Sequence, residues 1–188
     1  MTKFLNPVAT DFSISLRDDH KEIQELARDF ATNEVAPIAN KIDEEDHIPD
    51  SLIKKMSELG FLGIPYPSEY GGAGCDYLSM AIVIEELARV SCAFSVIPVA
   101  HTLIAMPLAS FGTEDQKNKF LIPLAKGEKI GAHAMTEPGA GSDAAGISTA
   151  ATKDGDNWII NGTKAWCTNG DIANTFLIFA RTSDEKKR

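Results

Sequence analysis

Apolar residues recur at helical spacing through the first two-thirds of the chain. Between residues 16 and 36, Leu16, Ile23, Leu26, Ala27, Phe30 and Ala31 fall three, four or seven apart. That spacing lines one face of an α-helix, and Pro37 predicts its end. A short helix is predicted over residues 49–59, opened by Asp46 or Pro49 and closed by Gly60. Residues 66–74 read as a turn-rich loop. Asp76 fits the N-cap of a helix running to about Val90, since its carboxylate can accept from the first free amides. Residues 91–110 are apolar on most sides, which predicts a buried helix, broken or kinked near Pro98 or Pro107. Thr113 and Gln116 have the form of a capping box and begin another helix that ends near Lys126-Gly127.

The pattern changes near Lys129, where Gly, Thr, Ser and alternating residues replace helical spacing. Residues 148–153, 157–161 and 174–180 read as strands. Asp154-Gly155-Asp156-Asn157 is a hairpin signal, and Asn161-Gly162 and Asn169-Gly170 are two more turn signals. The predicted class is therefore α+β, with a helical domain at 1–128 and the start of a β domain at 129–188. The segment 183–188 is a charged tail.

Composition narrows the function. Hydrophobic residues make up 44% and charged residues 24% of the 188, ordinary values for a folded globular chain. A net charge of −9 argues against a nucleic-acid or anionic-membrane surface, because both require clustered Lys and Arg. Cys75, Cys92 and Cys167 are scattered and odd in number, so neither a disulfide framework nor a zinc site is indicated. His20, His47, His101 and His133 form no ligand spacing, and no metal site is expected. No apolar run reaches membrane-spanning length uninterrupted, since Pro98, His101 and Pro107 divide the longest. The N-terminus carries neither a signal peptide's apolar core nor an Arg-rich bias. The expectation is cytoplasmic, or the mitochondrial matrix if a presequence has been removed.

Candidate chemistry concentrates in two segments. In Met135-Thr136-Glu137-Pro138-Gly139-Ala140-Gly141-Ser142-Asp143, two glycines let the backbone lie close against a ligand, between the hydroxyls of Thr136 and Ser142. In Trp166-Cys167-Thr168-Asn169-Gly170, a flat aromatic face stands beside a hydroxyl. A planar, phosphate-bearing cofactor needs both surfaces. Taken singly, these residues also fit ordinary turn capping and a core Trp.

Together the two segments resemble the flavin-binding signature of the acyl-CoA dehydrogenases. The resemblance extends to Glu69-Tyr70-Gly71-Gly72-Ala73-Gly74, Glu85-Glu86-Leu87-Ala88-Arg89, Phe111-Gly112-Thr113-Glu114-Asp115-Gln116-Lys117, Leu121-Ile122-Pro123-Leu124-Ala125-Lys126-Gly127-Glu128 and Ile160-Asn161-Gly162-Thr163-Lys164. It implies a helical N-terminal domain of that family's type followed by part of a β-barrel, in a chain about half the family's length. It implies FAD held by His133, Ala134, Met135, Thr136, Gly139, Ala140, Gly141, Ser142, Trp166, Cys167 and Thr168. His133 stands where Tyr or Phe is commoner in the family. Ser142 and Phe94 are implied substrate contacts. Relatives acting on glutaryl-CoA carry Arg and Ser where Phe94 and Pro98 stand here, which favours an apolar acyl chain.

The implied reaction is α,β-dehydrogenation of an acyl-CoA, with electrons passed to an electron-transferring flavoprotein. The family's Glu base matches no residue of this chain, so no catalytic residue is assigned and the 188 residues alone are expected to be inactive. A homotetramer is the implied assembly of the complete protein. Glu137 and Asp143 read as loop-ordering residues, and Glu85 and Glu86 as solvated or salt-bridged. Two other readings stay open: an acyl-CoA oxidase or flavin monooxygenase relative, and a non-catalytic helical interaction module.

Overall fold

Asp76 fixes the relation between the first two packed helices. In the computed structural model, which describes residues 15–183, α1 spans Asp18–Phe30 and α4 spans Tyr77–Ala88. The Asp76 carboxylate accepts the Ser79 amide at 2.9 Å, capping α4 as predicted. It also accepts Arg17 Nη2 at 2.8 Å and meets the buried His20 Nε2 at 3.0 Å. The Ser79 amide first, then Arg17 and His20, hold this carboxyl well below the usual carboxylate range. Residues 1–14 and the tail at 184–188 lie outside the described residues.

Pro37 does not stop the first helix. After Phe30 the chain winds through a π turn (Ala31–Val35) and a 3₁₀ turn (Ala36–Ile38) into α2 (Ala39–Glu45). Pro37 sits in the first turn of the 3₁₀ segment, where a missing amide costs little. Asp46 then ends α2 in the left-handed region at φ 49° rather than opening α3 (Asp50–Glu58), which Pro49 precedes. Gly60, at φ 74°, closes α3 as expected.

Helix α5 (Cys92–Phe111) runs unbroken through both Pro98 and Pro107, with the Ser91 hydroxyl accepting the Phe94 amide at 3.2 Å. By length and hydropathy it could cross a membrane, a property the interruptions in its sequence had argued against. It is not buried all round. One face, with Phe94, Ile97, His101, Ile104 and Ala105, enters the core, while Val96, Val99, Leu103 and Met106 face outward. The Thr113–Gln116 capping box forms reciprocally, at 3.3 and 2.9 Å, and opens α6 (Glu114–Gln116), a π turn (Lys117–Leu121) and α7 (Ile122–Ala125).

Two apolar clusters hold these elements together. The larger gathers α1, α3, α4 and the first half of α5, with Phe30 centred 5.9 Å from Phe61 and 6.1 Å from Phe94. The smaller joins Tyr66, Ile104, Leu121 and Leu124. Gly72 packs so tightly that a Cβ there would lie 2.1 Å from the Tyr66 carbonyl oxygen.

The β region has a strand that sequence alternation does not announce. β1 (Gly131–Ala134) pairs in parallel with β4 (Thr175–Ile178), in the register Gly131 with Thr175 through Ala134 with Ile178. Its short residues suit close approach to α5, for a Cβ on Gly131 would lie 2.6 Å from Ile104 Cδ1. β2 (Ala150–Asp154) and β3 (Asn157–Asn161) form the predicted hairpin, turning at Gly155 with φ 58°. A parallel bridge from Ala150 to Arg181 connects the hairpin to the chain beyond β4.

Candidate functional site

β1 leads directly into the glycine-rich segment, and the indole segment lies beside its exit. The Ala165 amide donates to the Thr136 carbonyl at 2.9 Å. The Cys167 thiol contacts the His133 carbonyl at 3.6 Å, and burial pushes that thiol's pKa up. Two stretches about 30 residues apart in sequence therefore share one edge. His133 is half-buried with its ring 5.3 Å from Phe179, and the Ala134 carbonyl accepts the Phe179 amide at 3.1 Å.

Trp166 is not a core residue. Its side chain is 91% exposed and its backbone is left-handed at φ 55°, an uncommon conformation for a bulky residue. The surrounding bonds of Ala165 and Cys167 fix that turn, and the Thr168 amide donates to the Trp166 carbonyl at 3.2 Å. Such local strain concentrates at ligand-binding sites. Thr168 is exposed and Thr136 half-buried, so an apolar face and hydroxyl groups lie along the same edge.

The glycine-rich turn is closed on itself by the bonds between Glu137 and Ala140, at 2.9 and 3.1 Å. Ala140 is buried, while Gly139, Gly141 and Ser142 are exposed. Neither glycine has a positive φ, and a Cβ built on either meets nothing within 4 Å. The chain's own packing does not demand glycine at these two positions. Open backbone there would admit a close-lying ligand, and the donor set and flat indole fit a flavin.

Glu137 and Lys164 organise the interior of the site. The carboxylate of Glu137 accepts the Ser148 amide and hydroxyl, both at 2.6 Å, the Thr149 amide at 2.9 Å and Lys164 Nζ at 2.8 Å. Lys164 first, then Ser148 and Thr149, hold its pKa well below the usual carboxylate range. Lys164 also donates to the Met135 carbonyl at 3.0 Å. The geometry matches the loop-ordering role expected of Glu137, and the sequence signals no role for Lys164. Asn169 has, by sequence, only the signature of a turn residue. It is buried at φ 65°, and its amide donates to the carbonyls of Ile97 at 3.0 Å and Gly131 at 3.1 Å, tying the indole segment to α5 and β1. An Asn before Gly signals the left-handed turn, but nothing local signals those distant acceptors.

Phe94, expected at the substrate, is 0% exposed, with its ring among Phe30 and its neighbours in the main core. The helical period turns it inward, and the α5 residues sharing a cleft with Thr168 are Ala93, Val96 and Ile97. This cleft, of about 200 Å³, is also lined by His47, Ile48, Asn169 and Ile172. Glu86, the other buried carboxylate of interest, is structural: it takes Arg28 at 2.6 and 3.1 Å and Arg89 at 3.2 Å.

Known proteins resemble this chain over most of its length. The family models for the acyl-CoA dehydrogenase N-terminal and middle domains match residues 17–128 and 132–188. A short-chain specific acyl-CoA dehydrogenase of Clostridium acetobutylicum is 49% identical over 173 residues, covering 92% of this chain and 46% of the relative. Among solved structures, a chain from the electron transferring flavoprotein structure of Acidaminococcus fermentans superposes with TM-score 0.88 at 40% identity, covering 92% of this chain and 46% of that one. An acyl-CoA dehydrogenase complexed with FAD from Bacillus anthracis does so with TM-score 0.81 at 40% identity, covering 91% and 29%. The chain thus spans about half the length of the curated relative it matches.

Proposed function

This chain belongs to the acyl-CoA dehydrogenase family, and on that premise we propose that it forms the N-terminal and partial middle region of an FAD-dependent enzyme that dehydrogenates acyl-CoA thioesters. The observation that carries the reading is the shared edge of the two loops: the exposed, left-handed Trp166 beside Thr168, bonded through Ala165 to Thr136. FAD, when bound, supplies the acceptor for hydride leaving the acyl β-carbon.

This chain's own residues hold and orient. Trp166 offers an exposed apolar face that would shield a bound flavin ring from water. Thr136 and Thr168 offer hydroxyls to a polar ring edge, each such bond contributing about 0.5–1.5 kcal/mol and more where it meets charge. Gly139 and Gly141 leave the backbone open to close approach. His133, Ala134, Met135, Ala140, Ser142 and Cys167 complete the lining. Val96 and Ile97 line the same cleft as Thr168, with Ala93, and are the α5 candidates for acyl contact.

The Clostridium relative, being short-chain specific, supports a short apolar acyl group. The Acidaminococcus structure supports an electron-transferring flavoprotein as acceptor. The family's carboxylate base has no counterpart in these residues, so the 188-residue chain alone does not turn over substrate. The deciding experiment expresses the full-length enzyme and titrates the apoprotein with FAD, following flavin absorbance and tryptophan fluorescence. Stoichiometric binding with quenching is expected, and no binding overturns the reading. Turnover of butyryl-CoA with a dye acceptor by the isolated 188 residues overturns the inactivity of the fragment.

A further inference from the structure

We propose that Glu137 and Lys164 act as a clasp that positions both cofactor-facing loops, making Glu137 a positioning residue for flavin binding. The inference rests on the flavin reading of the site. Glu137 is buried and Lys164 largely so, with side-chain exposures of 3% and 12%, and their ion-pair distance is 2.8 Å. Each partner reaches a different stretch of chain. Glu137 belongs to the glycine-rich turn and gathers the amides of Ser148 and Thr149. Lys164 stands two residues before Trp166 and returns to the Met135 carbonyl, next to the Thr136 carbonyl that holds Ala165.

The consequence is mechanical. The Glu137 oxygens are occupied by four donors from three residues in two separate stretches, 148–149 and 164, so the carboxylate has one allowed position. That position fixes the turn holding Gly139 and Gly141. Lys164 fixes the approach to Trp166 against the same turn. A buried carboxylate that loses its ammonium partner is left uncompensated, and the loops must rearrange to bring water to it. The ligand-facing atoms then lose the sub-ångström placement that tight binding requires.

Three variants of the full-length protein test the clasp. Glu137→Gln keeps the shape but removes the charge and turns an amide N–H₂ toward donors. Lys164→Met removes the ammonium. Ser148→Ala removes only a hydroxyl donor and secures a folded variant whatever the others do. The expected result is an FAD dissociation constant raised at least about tenfold by Glu137→Gln or Lys164→Met and about twofold by Ser148→Ala. A shifted visible circular dichroism band of the bound flavin is also expected. Amide hydrogen exchange in the apoprotein should quicken over residues 135–142 and 164–170 and stay unchanged over α4. Variants that lose only thermal stability, with wild-type FAD affinity, flavin spectrum and loop exchange, overturn the clasp. Wild-type protein that takes up no FAD overturns the flavin reading itself, and the exchange measurement separates the two failures.

Discussion

The imidazole Nδ1 of His101 accepts the amide of Gly131 at 3.2 Å, joining the middle of α5 to the first residue of β1. Both groups are buried. The bond requires a neutral ring protonated on Nε2, and burial pushes the His101 pKa down from 6.5 to about 4.

Acid should therefore loosen the junction between helices and strands. The folded state binds the proton more weakly than the unfolded chain, so the stabilisation is full above pH 6.5 and is lost as pH falls toward 4. At about 1.4 kcal/mol for each unit between the two states, the loss is on the order of 3 kcal/mol. Urea denaturation at several pH values in this window measures it. His101→Gln, which keeps an acceptor but does not titrate, should flatten the dependence.

His101→Leu should act at neutral pH. It leaves the Gly131 amide buried without a partner and should cost about 1–3 kcal/mol in urea denaturation. A cost below about 0.5 kcal/mol would mean that the amide finds another acceptor.

Two glycines should behave oppositely. Gly72→Ala places a methyl against the carbonyl oxygens of Tyr66 and Gly63 and should destabilise by about 3 kcal/mol, since backbone cannot swing aside. Gly139→Ala meets nothing within 4 Å, so stability should change by less than about 0.5 kcal/mol. FAD binding by the full-length protein should nevertheless weaken about tenfold. Thermal unfolding beside FAD titration separates the two effects.

Phe94 and Val96 should divide stability from specificity. Phe94→Ala empties core volume and should cost about 3–5 kcal/mol. Val96→Phe starts from a side chain 39% exposed and lining the cleft at Thr168. It should leave unfolding nearly unchanged while raising KM for longer acyl-CoA substrates in the full-length enzyme. The reverse pattern would return Phe94 to the substrate.

Local signals carried much of this molecule. Asp76, Ser91 and Thr113 cap helices because their side chains reach amides only two or three residues away, and the Asp154–Asn157 turn needs nothing beyond its own residues. The two ligand-facing loops were visible because glycine, hydroxyl and indole groups cluster within a few positions. Other features depended on partners distant in sequence. β1 forms because β4 lies alongside it, 44 positions later in register, and its short residues show no alternation. Pro37 lies in a continuous helical path because the chain can rewind around it, and a propensity cannot register that.

Residue types at the site, the caps and turns around it and the family are all legible in the linear order of residues. That Phe94 turns into the core while Val96 faces the cleft, and that Lys164 closes on Glu137 across 27 residues, emerges from the folded arrangement. The difference is one of range. Capping and turn chemistry act within one helical turn, whereas burial and buried ion pairing depend on which distant surfaces the folded chain brings together.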